Sequence, residues 1–406
     1  MELEKSQPFD GRKPKKQRWG TPRYLALILK PDGRTTAIQL GDAAPIESAI
    51  QQALKASATN ASDAPQLWAR VSELVLQPLA PALAGSREWF LSPDAELNRV
   101  PFAALPAPQA PGQSLAEAVQ LRLLTTGRDL LRLQQAAKPG RSPLVMANPA
   151  FDRRGQSGPR IAASSTGDHP QSRSADLGPK TWAPLPASEQ EGQQVAALLG
   201  TTAITGQQAT TTALQQSRGP RVLHVATHGF FAADQERPPS DPLRLLQDTN
   251  PLLRGFQGED PQLRSGLVLA GANQPDADPN DDGYLTASEA VALQLDGTEL
   301  VVLSACSTGQ GEIRTGEGVY GLQRSLTVAG ARSTLLSLWK VDDAATAEFM
   351  ARFYTRLKNG EGRSDALAAT QKEFRDGIPG KPEIWKDIYY WGAWQLVGDW
   401  RPIQGL

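Results

Sequence analysis

Thiols and imidazoles are scarce in this sequence, which contains one cysteine and three histidines among 406 residues. A single cysteine excludes an internal disulfide framework and a cysteine-rich zinc site. No apolar run reaches the roughly 18 residues that a membrane-spanning helix needs, and the opening residues lack the apolar segment of a secretory signal. We therefore expect a cytoplasmic protein in a reducing compartment, with no membrane span.

An excess of one charge is also absent. Lysine and arginine number 42 against 43 aspartates and glutamates, which gives a formal net charge of −1 at pH 7. No global field therefore attracts nucleic acid or anionic lipid, and we expect no nucleic-acid partner. Hydrophobic residues at 40% and charged residues at 21% are typical of a globular chain.

The order of apolar segments predicts an α/β protein. Residues 22–142, after a polar and basic tail at 1–21, read as an amino-terminal α+β portion that contains a hairpin, two helices and short strands. Residues 143–400 alternate continuous apolar strands with amphipathic helices, which is typical of a mostly parallel sheet covered on both faces. Two polar loop insertions, 152–181 and 233–264, interrupt this second portion.

One helix start is predicted in detail within the second portion. Ser188 and Glu191 have the spacing of a capping box, in which each side chain satisfies a backbone N–H at the start of a helix. The helix is therefore predicted to run from Ser188 to Leu199.

The one thiol and one of the imidazoles follow two predicted strands. Cys306 comes directly after the apolar run 300–305, and His228 follows the run 222–227 and precedes Gly229. Because the carboxyl ends of parallel strands meet at one edge of an α/β sheet, where ligands bind, we expect both side chains there. A nearby imidazole raises the thiolate fraction of a cysteine. The amides of Gly229 and Cys306 are the natural pair to hold an oxyanion.

The other two histidines are weaker candidates for chemistry. His169 lies in the first loop insertion, a poor place for a preorganised base. His224 lies inside a predicted strand, where a packed core histidine is expected. Its spacing to His228 is that of a zinc-binding helix motif, but these positions do not converge on a strand and no glutamate follows His224. No complete nucleotide-binding fingerprint occurs, and we expect no cofactor.

One stretch also fits a calcium-binding loop. Asp278, Asn280, Asp282 and Glu289 occupy its first, third, fifth and twelfth positions. No helix is predicted ahead of this stretch, however, and Thr286 with Glu289 forms a capping box equally well. We therefore expect no metal and keep calcium at these four residues as the weaker alternative.

Two blocks resemble the signatures of the CHAT domain, a caspase-like peptidase family related to caspases, metacaspases and separase and often joined to TPR repeats. They are LHVATHGFF at residues 223–231 and LVVLSACSTG at residues 300–309. Further matches follow in the family's order over most of the chain, from about Tyr24 to Val397. These lie at residues 93–105, 265–272, 283–287, 316–318 and 337–343.

The resemblance implies a caspase-like three-layer sandwich with an amino-terminal α+β lobe. It also implies a cysteine endopeptidase with His228 as general base and Cys306 as nucleophile. Ser304, Glu317 and Asp343 are then candidate substrate-binding residues.

The assignment of Asp343 rests on the block Leu-Trp-Lys-Val-Asp-Asp at 338–343. It is similar to the Leu-Trp-Asp-Val-Thr-Asp of separase, whose last aspartate binds the P1 arginine. Carried over, Asp343 would favour arginine or lysine at P1. Alternatively, Asp342 or Asp343 merely caps the next helix. Ser304 also stands where metacaspases carry an aspartate, which weakens the case for a basic P1.

The resemblance further implies protein partners. These are a protein substrate, such as a bacterial gasdermin in a defence or signalling pathway, and a TPR-containing regulator from another chain or a longer parent. The two loop insertions are hypothesised to act in cleavage, gating or substrate binding. Arg153, Arg154 and Arg160 would suit self-processing if the S1 pocket is acidic. A catalytically idle scaffold and a calcium-gated protease are the alternative functions.

Overall fold

The computed structural model describes residues 20–152, 181–231, 261–274, 281–307 and 317–406. Residues 231, 261, 305–307 and 317–320 are described by their backbone alone. Most of the two predicted loop insertions, including Arg153, Arg154, Arg160 and His169, lies outside the described residues.

The described chain contains both strands and helices. The strands are β1 (Arg23–Leu29), β2 (Thr35–Asp42), β3 (Glu88–Leu91), β4 (Gln120–Leu123), β5 (Leu144–Pro149), β6 (Ala203–Gly206), β7 (Val222–Phe231), β8 (Ser265–Val268), β9 (Tyr284–Thr286), β10 (Leu300–Ser307), β11 (Ser333–Ser337) and β12 (Trp394–Gly398). The α-helices are α1 (Ala43–Ala58), α2 (Ala64–Val75), α3 (Ala80–Leu83), α4 (Leu115–Ala118), α5 (Asp129–Gln134), α6 (Pro186–Leu199), α7 (Thr211–Gln215), α8 (Ala287–Ala290), α9 (Glu317–Val328), α10 (Asp343–Lys358), α11 (Arg363–Asp376) and α12 (Ile388–Trp391). Short 3-10 helices lie at Gln77–Leu79, Ala95–Arg99, Phe102–Ala104, Pro261–Arg264 and Glu383–Lys386.

A central sheet organises the molecule. Its strands follow the order β3-β4-β12-β11-β10-β7-β5-β6, and β8 joins at β7 and carries β9. Most neighbours are parallel, while β12 pairs antiparallel with β11 and β8 pairs antiparallel with both β7 and β9. The predicted α/β class and mostly parallel sheet are therefore confirmed.

Helices cover both faces of this sheet, because successive side chains of a buried strand point to opposite sides. Val222 and Val302 pack with α6 and α10 in one core cluster. Leu223 and Val301 pack with α7, α8 and α9 in another. The arrangement has three layers, helices, sheet and helices, as the sequence predicted.

The amino-terminal portion packs onto the first of these clusters. β1 and β2 form an antiparallel hairpin that leads into α1. The apolar sides of α1 and α2 belong to the same core as α10, and Trp68 stacks on Trp339 with ring centroids 6.3 Å apart. β3 and β4 join the central sheet itself.

A cluster of charged side chains closes the edge where the parallel strands begin. Arg363 is 1% exposed, and its guanidinium donates to the Glu299 carboxylate at 2.6 Å and to the Asp399 backbone carbonyl at 3.1 Å. Arg332 and Arg401 donate to the Asp399 carboxylate at 3.0 and 2.9 Å. Burial raises the pKa of Asp399, but Arg401 and Arg363 outweigh it and hold this pKa at about 2.

In the part of the chain described above, no helix is both long and apolar enough to cross a membrane.

Candidate functional site

The register of two neighbouring strands brings His228 and Cys306 together. β7 and β10 are parallel, and the backbone of His228 pairs directly with that of Cys306. Adjacent strands in a sheet lie roughly 4.8 Å apart, so the two residues are neighbours although 78 positions separate them, 306 minus 228.

Both strands run further than the sequence predicted. β7 continues to Phe231 because β8 pairs with its last four residues. β5 and β8 lie on the same side of β7, β5 along its first part and β8 along its last part. β10 continues to Ser307 alongside it. His228 and Cys306 therefore lie within paired strand, and the prediction that each strand ends just before them is wrong.

His228 lies in an aromatic cage and is only 6% exposed. Its ring centroid is 5.2 Å from that of Phe151 and 5.3 Å from that of Trp182. Phe151 and Trp182 pack in a small separate core with Tyr284. The imidazole orientation is therefore restricted by packing.

The backbone carbonyl of Ala183 fixes the proton on this ring. His228 Nε2 lies 2.8 Å from the Ala183 oxygen. A carbonyl oxygen can only accept, so Nε2 carries the hydrogen and donates it. In the neutral ring this leaves the lone pair on Nδ1 able to take a proton.

The charge state of His228 is also favourable for a base. Burial lowers its pKa below the usual 6.5, and the positive charge of Lys340 acts in the same direction. The Ala183 carbonyl and the Asp343 carboxylate oppose this shift. The ring is therefore mainly neutral at pH 7 and can accept a proton.

Asn273 holds the segment that carries the Ala183 carbonyl. The Trp182 N–H donates to Asn273 Oδ1 at 2.7 Å, and Asn273 Nδ2 donates back to the Trp182 carbonyl at 3.1 Å. The Trp182 indole N–H donates to the Tyr284 hydroxyl at 2.9 Å. Neither role is evident from the sequence, although Asn273 follows one family-like block and Tyr284 lies inside another.

Asn148 fixes the start of α6 in a similar way. Its backbone is left-handed, with φ of 44°, where β5 ends. Its side-chain oxygen accepts from the Leu185 N–H at 3.2 Å, and its backbone N–H donates to Ser188 Oγ at 3.1 Å. Ser188 is therefore not the N-cap of α6, which begins at Pro186, and the predicted capping box of Ser188 and Glu191 is wrong.

The two adjacent aspartates before α10 have different surroundings. Asp342 is the N-cap, because its Oδ1 accepts from the Ala345 N–H at 2.9 Å. Asp343 is exposed and makes no hydrogen bond or ion pair with any residue that the structure describes. Partial burial raises the pKa of Asp343, Lys340 opposes this, and Asp342 and Glu191 add to it.

The remaining candidate residues, Gly229, Ser304 and Glu317, lie on three different elements. Gly229 is buried in β7 and pairs with Ser307 on one side and Leu267 on the other. Ser304 lies two residues before Cys306, and its hydroxyl donates to Glu191 Oε2 at 3.1 Å. Glu317 begins α9, and its side chain lies outside the described residues.

The calcium candidates do not all fall within the structure. Asp278 and Asn280 lie outside the described residues. Glu289 accepts from the Thr286 N–H at 2.8 Å as part of a capping box for α8, as the alternative prediction stated. Asp282 accepts from the Tyr284 N–H at 2.9 Å. Among residues with described side chains, no three histidine, cysteine or carboxylate groups form a cluster that could hold a metal ion.

A cavity of about 70 Å³ lies elsewhere, between β4, β12 and α11. β4 and β12 pair only at Leu123 and Val397, and the cavity occupies the gap where they diverge. None of the residues that contact His228 lines it. It therefore contributes nothing to the His228 site.

Comparison with solved structures finds low similarity over most of the chain. The Arg-specific cysteine proteinase gingipain R matches 89% of this chain and 75% of its own, with 10% identity and a TM-score of 0.40. The complex of Porphyromonas gingivalis RgpB pro- and mature domains matches 89% and 77%, with 11% identity and a TM-score of 0.41.

Comparison with protein sequences gives a firmer result. Tetratricopeptide repeat protein 28 of Homo sapiens is 29% identical over 240 residues, and that of Mus musculus is 26% identical over 241. Each match covers 57% of this chain but only 9% of the relative's length. The family model of the CHAT domain matches residues 65–399, which is most of the sequence. The chain therefore belongs to the CHAT domain family.

Proposed function

We propose that this chain is a cysteine endopeptidase in which His228 is the general base and Cys306 the nucleophile. The observation that carries the proposal is the direct pairing of these two residues on neighbouring parallel strands. The Ala183 carbonyl supports it, because it holds the hydrogen on Nε2 and leaves Nδ1 as the basic atom.

The reaction follows from these roles. Nδ1 of His228 takes the thiol proton, and the thiolate attacks the carbonyl carbon of the scissile peptide bond. The imidazolium then gives its proton to the leaving amine as the C–N bond breaks, and water hydrolyses the thioester. His228 accepts a proton from that water and returns it to the sulfur.

The oxyanion of the tetrahedral intermediate would be held by the amides of Gly229 and Cys306. Gly229 has a strand partner on both sides, Ser307 and Leu267. Its amide is therefore directed towards a neighbouring strand, and donation to an oxyanion requires this pairing to open locally when substrate binds.

We further propose that the substrate carries arginine or lysine at P1 and that Asp343 binds it. Asp342 takes the capping role, so Asp343 is not needed to start α10. Asp343 is close enough to His228 for its carboxylate to raise the pKa of that ring. An exposed carboxylate beside the base suits a charge-assisted hydrogen bond to a cationic side chain.

Labelling by a peptidyl electrophile tests the peptidase function. The wild-type chain should be labelled, and neither Cys306→Ala nor His228→Ala should be, because both members of the dyad are required. Thermal unfolding of each variant would show that it is folded. A folded wild type that resists labelling, with and without calcium, would contradict the proposal and favour the idle scaffold.

Profiling of a peptide library tests the role of Asp343. Asp343→Ala should lower kcat/KM for P1 arginine and lysine peptides by about 10- to 100-fold, the size expected for a lost charge-assisted hydrogen bond. Asp342→Ala is the matched control, because loss of the cap should cost about 1 kcal/mol of stability while the P1 preference stays unchanged. An unchanged P1 profile in Asp343→Ala would show that Asp343 does not bind P1.

The partners and the setting of this chain are also proposed. The names of the two mammalian relatives favour a TPR-containing regulator, supplied by another chain or by a longer protein. We also propose a gasdermin-like substrate, a defence pathway, a cytoplasmic location, and roles of Ser304 and Glu317 in substrate binding. Calcium gating is the weaker alternative.

A further inference from the structure

Glu191 is a buried carboxylate that the proposed reaction does not use. It lies in the second turn of α6, is 4% exposed and has no role in capping that helix. Its neighbour Gly192 lets the helix approach the sheet closely, since a Cβ there would lie 2.5 Å from the Cβ of Ala147 on β5. The carboxylate therefore reaches the sheet from the helix layer above it.

Glu191 is the centre of a small buried polar network. Ser304 Oγ donates to its Oε2 at 3.1 Å. His224 Nε2 lies 3.2 Å from its Oε1, although the two atoms are not aligned as a hydrogen bond. The other ring nitrogen of His224 lies 3.1 Å from the Tyr354 hydroxyl on α10.

The network links the two strands that carry the proposed dyad. His224 is on β7, four residues before His228, and Ser304 is on β10, two residues before Cys306. Positions 224 and 228, like 304 and 306, fall on the same face of the sheet because strand side chains alternate. One carboxylate thus contacts both strands just before the reactive pair.

The same helix segment contacts the site at a second point. Ala183 lies three residues before the start of α6, and its carbonyl accepts from His228. The chain from Ala183 to Glu191 therefore contacts β7 twice, once at His228 and once near His224. Movement of α6 would change both contacts together.

Stability alone does not explain a carboxylate at this position. Burial of a carboxylate costs several kcal/mol unless its partners compensate, and replacement of buried ionic groups by apolar ones of similar volume is often neutral or stabilising. Among the described residues, Glu191 Oε1 and His224 Nε2 have no hydrogen-bond partner, so the partners that the structure describes compensate the carboxylate only in part. A buried group with incomplete compensation favours a role in geometry.

We propose that Glu191 is a positioning residue that holds β7 and β10 together beneath His228 and Cys306 and so sets the separation of imidazole and thiol. This inference rests on the proposed function only in taking those two residues as the reactive pair. Ser304, which donates to Glu191 Oε2, is then part of the positioning network.

The single cysteine allows a test that does not need peptidase activity. Alkylation by iodoacetamide at pH 7 reports on Cys306 alone, and its rate follows the thiolate fraction that His228 supports. Glu191→Leu should slow alkylation several-fold. It should also lower kcat for a peptide substrate by about 100-fold, the effect of a displacement of about 1 Å, with little change in KM.

Two further variants sharpen this test. Glu191→Gln keeps the shape and an acceptor for Ser304, so its kcat should stay within a few-fold of wild type. Glu299→Gln removes a carboxylate of similar burial at the opposite edge of the sheet. It should lower the unfolding temperature and leave both the alkylation rate and kcat unchanged. If Glu191→Leu does not fold, Ser304→Ala should show the same changes at smaller size.

Three outcomes would overturn the inference. The first is unchanged alkylation and kcat in Glu191→Leu, and the second is equal slowing in Glu299→Gln. The third is a raised KM for basic peptides in Glu191→Gln at constant kcat, which would make Glu191 a substrate-binding acid. If His228→Ala leaves the alkylation rate unchanged, it is the proposed dyad that fails. Slowing by His228→Ala but not by Glu191→Leu would reject the positioning role alone.

Discussion

Buried charged and polar groups have different partners where the parallel strands of the central sheet begin and further along these strands. At the edge where the parallel strands begin, the carboxylates of Glu299 and Asp399 face arginines, with Arg363 between them. Glu191 lies over the middle of β7 and β10, where it faces a hydroxyl and an imidazole, and His228, towards the carboxyl ends of these strands, faces a backbone carbonyl. Pairing with permanent cations stabilises a fold at any pH near neutrality, whereas groups that can gain or lose a proton are what a reaction needs.

The largest expected effect comes from breaking the first of these clusters. Arg363→Leu should lower the free energy of unfolding by about 3–5 kcal/mol, because buried Glu299 would lose the arginine that donates to it and Asp399 would lose one of its three arginines. Chemical denaturation measures this change. The folded fraction should still be labelled by a peptidyl electrophile, since the reactive pair lies at the other edge.

An exposed ion pair is the matched control for Arg363. Arg23 and Asp42 lie 2.9 Å apart with nearly half of each side chain exposed. Arg23→Gln should change the unfolding free energy by less than about 1 kcal/mol. Equal losses in Arg23→Gln and Arg363→Leu would contradict the contrast between buried and exposed pairs.

A smaller effect is expected from acid. The pKa of Asp399 is about 2 in the folded chain against the usual 3.8. The folded state therefore binds fewer protons, and the stabilisation by Asp399 is fully present above pH 4 and is lost as pH falls towards 2. The loss should be on the order of 2 kcal/mol.

Asp399→Asn is the variant that checks this acid effect. It should be less stable at pH 7 and should show a shallower fall of unfolding free energy between pH 4 and pH 2. Denaturant titrations at several pH values measure both. An unchanged slope would show that other carboxyls cause the acid sensitivity.

The smallest effect is expected at the site edge, in the pH dependence of Cys306 alkylation. The alkylation rate should fall in acid with a midpoint below pH 6.5, because burial and Lys340 lower the pKa of His228. Lys340→Gln should move this midpoint to higher pH. Asp343→Asn should move it to lower pH, since Asp343 raises the pKa of His228. Shifts of the same sign in both variants would contradict the assigned charges around His228.

Much of this structure could be predicted from single elements of the sequence. The hairpin at the start, the short apolar strands and the long amphipathic α10 follow local hydrophobic periodicity, which the sequence displays directly. Cys306 and His228 could be picked out because few thiols and imidazoles exist and both follow apolar runs.

Other features depended on contacts that no local pattern encodes. Ser188 and Glu191 have the spacing of a capping box, but Pro186 starts the helix earlier and Asn148 binds Ser188 instead. β12 pairs antiparallel at a place in the sheet that its own residues do not specify. At Ser188 a partner 40 positions away outweighed a local preference, and at β12 the pairing partner set the strand direction.

The sequence by itself determined which residues could carry chemistry and which segments would form strands or helices, because residue identity and hydrophobic period are local properties. Only the tertiary structure decided that Asp342 caps α10 and leaves Asp343 exposed, that Asn273 holds the segment before α6, and that Glu191 lies beneath the reactive pair. The last two depend on groups 91 and 113 positions apart, whose proximity is set by strand order and helix packing, whereas the Asp342 cap spans three positions and depends on where α10 begins.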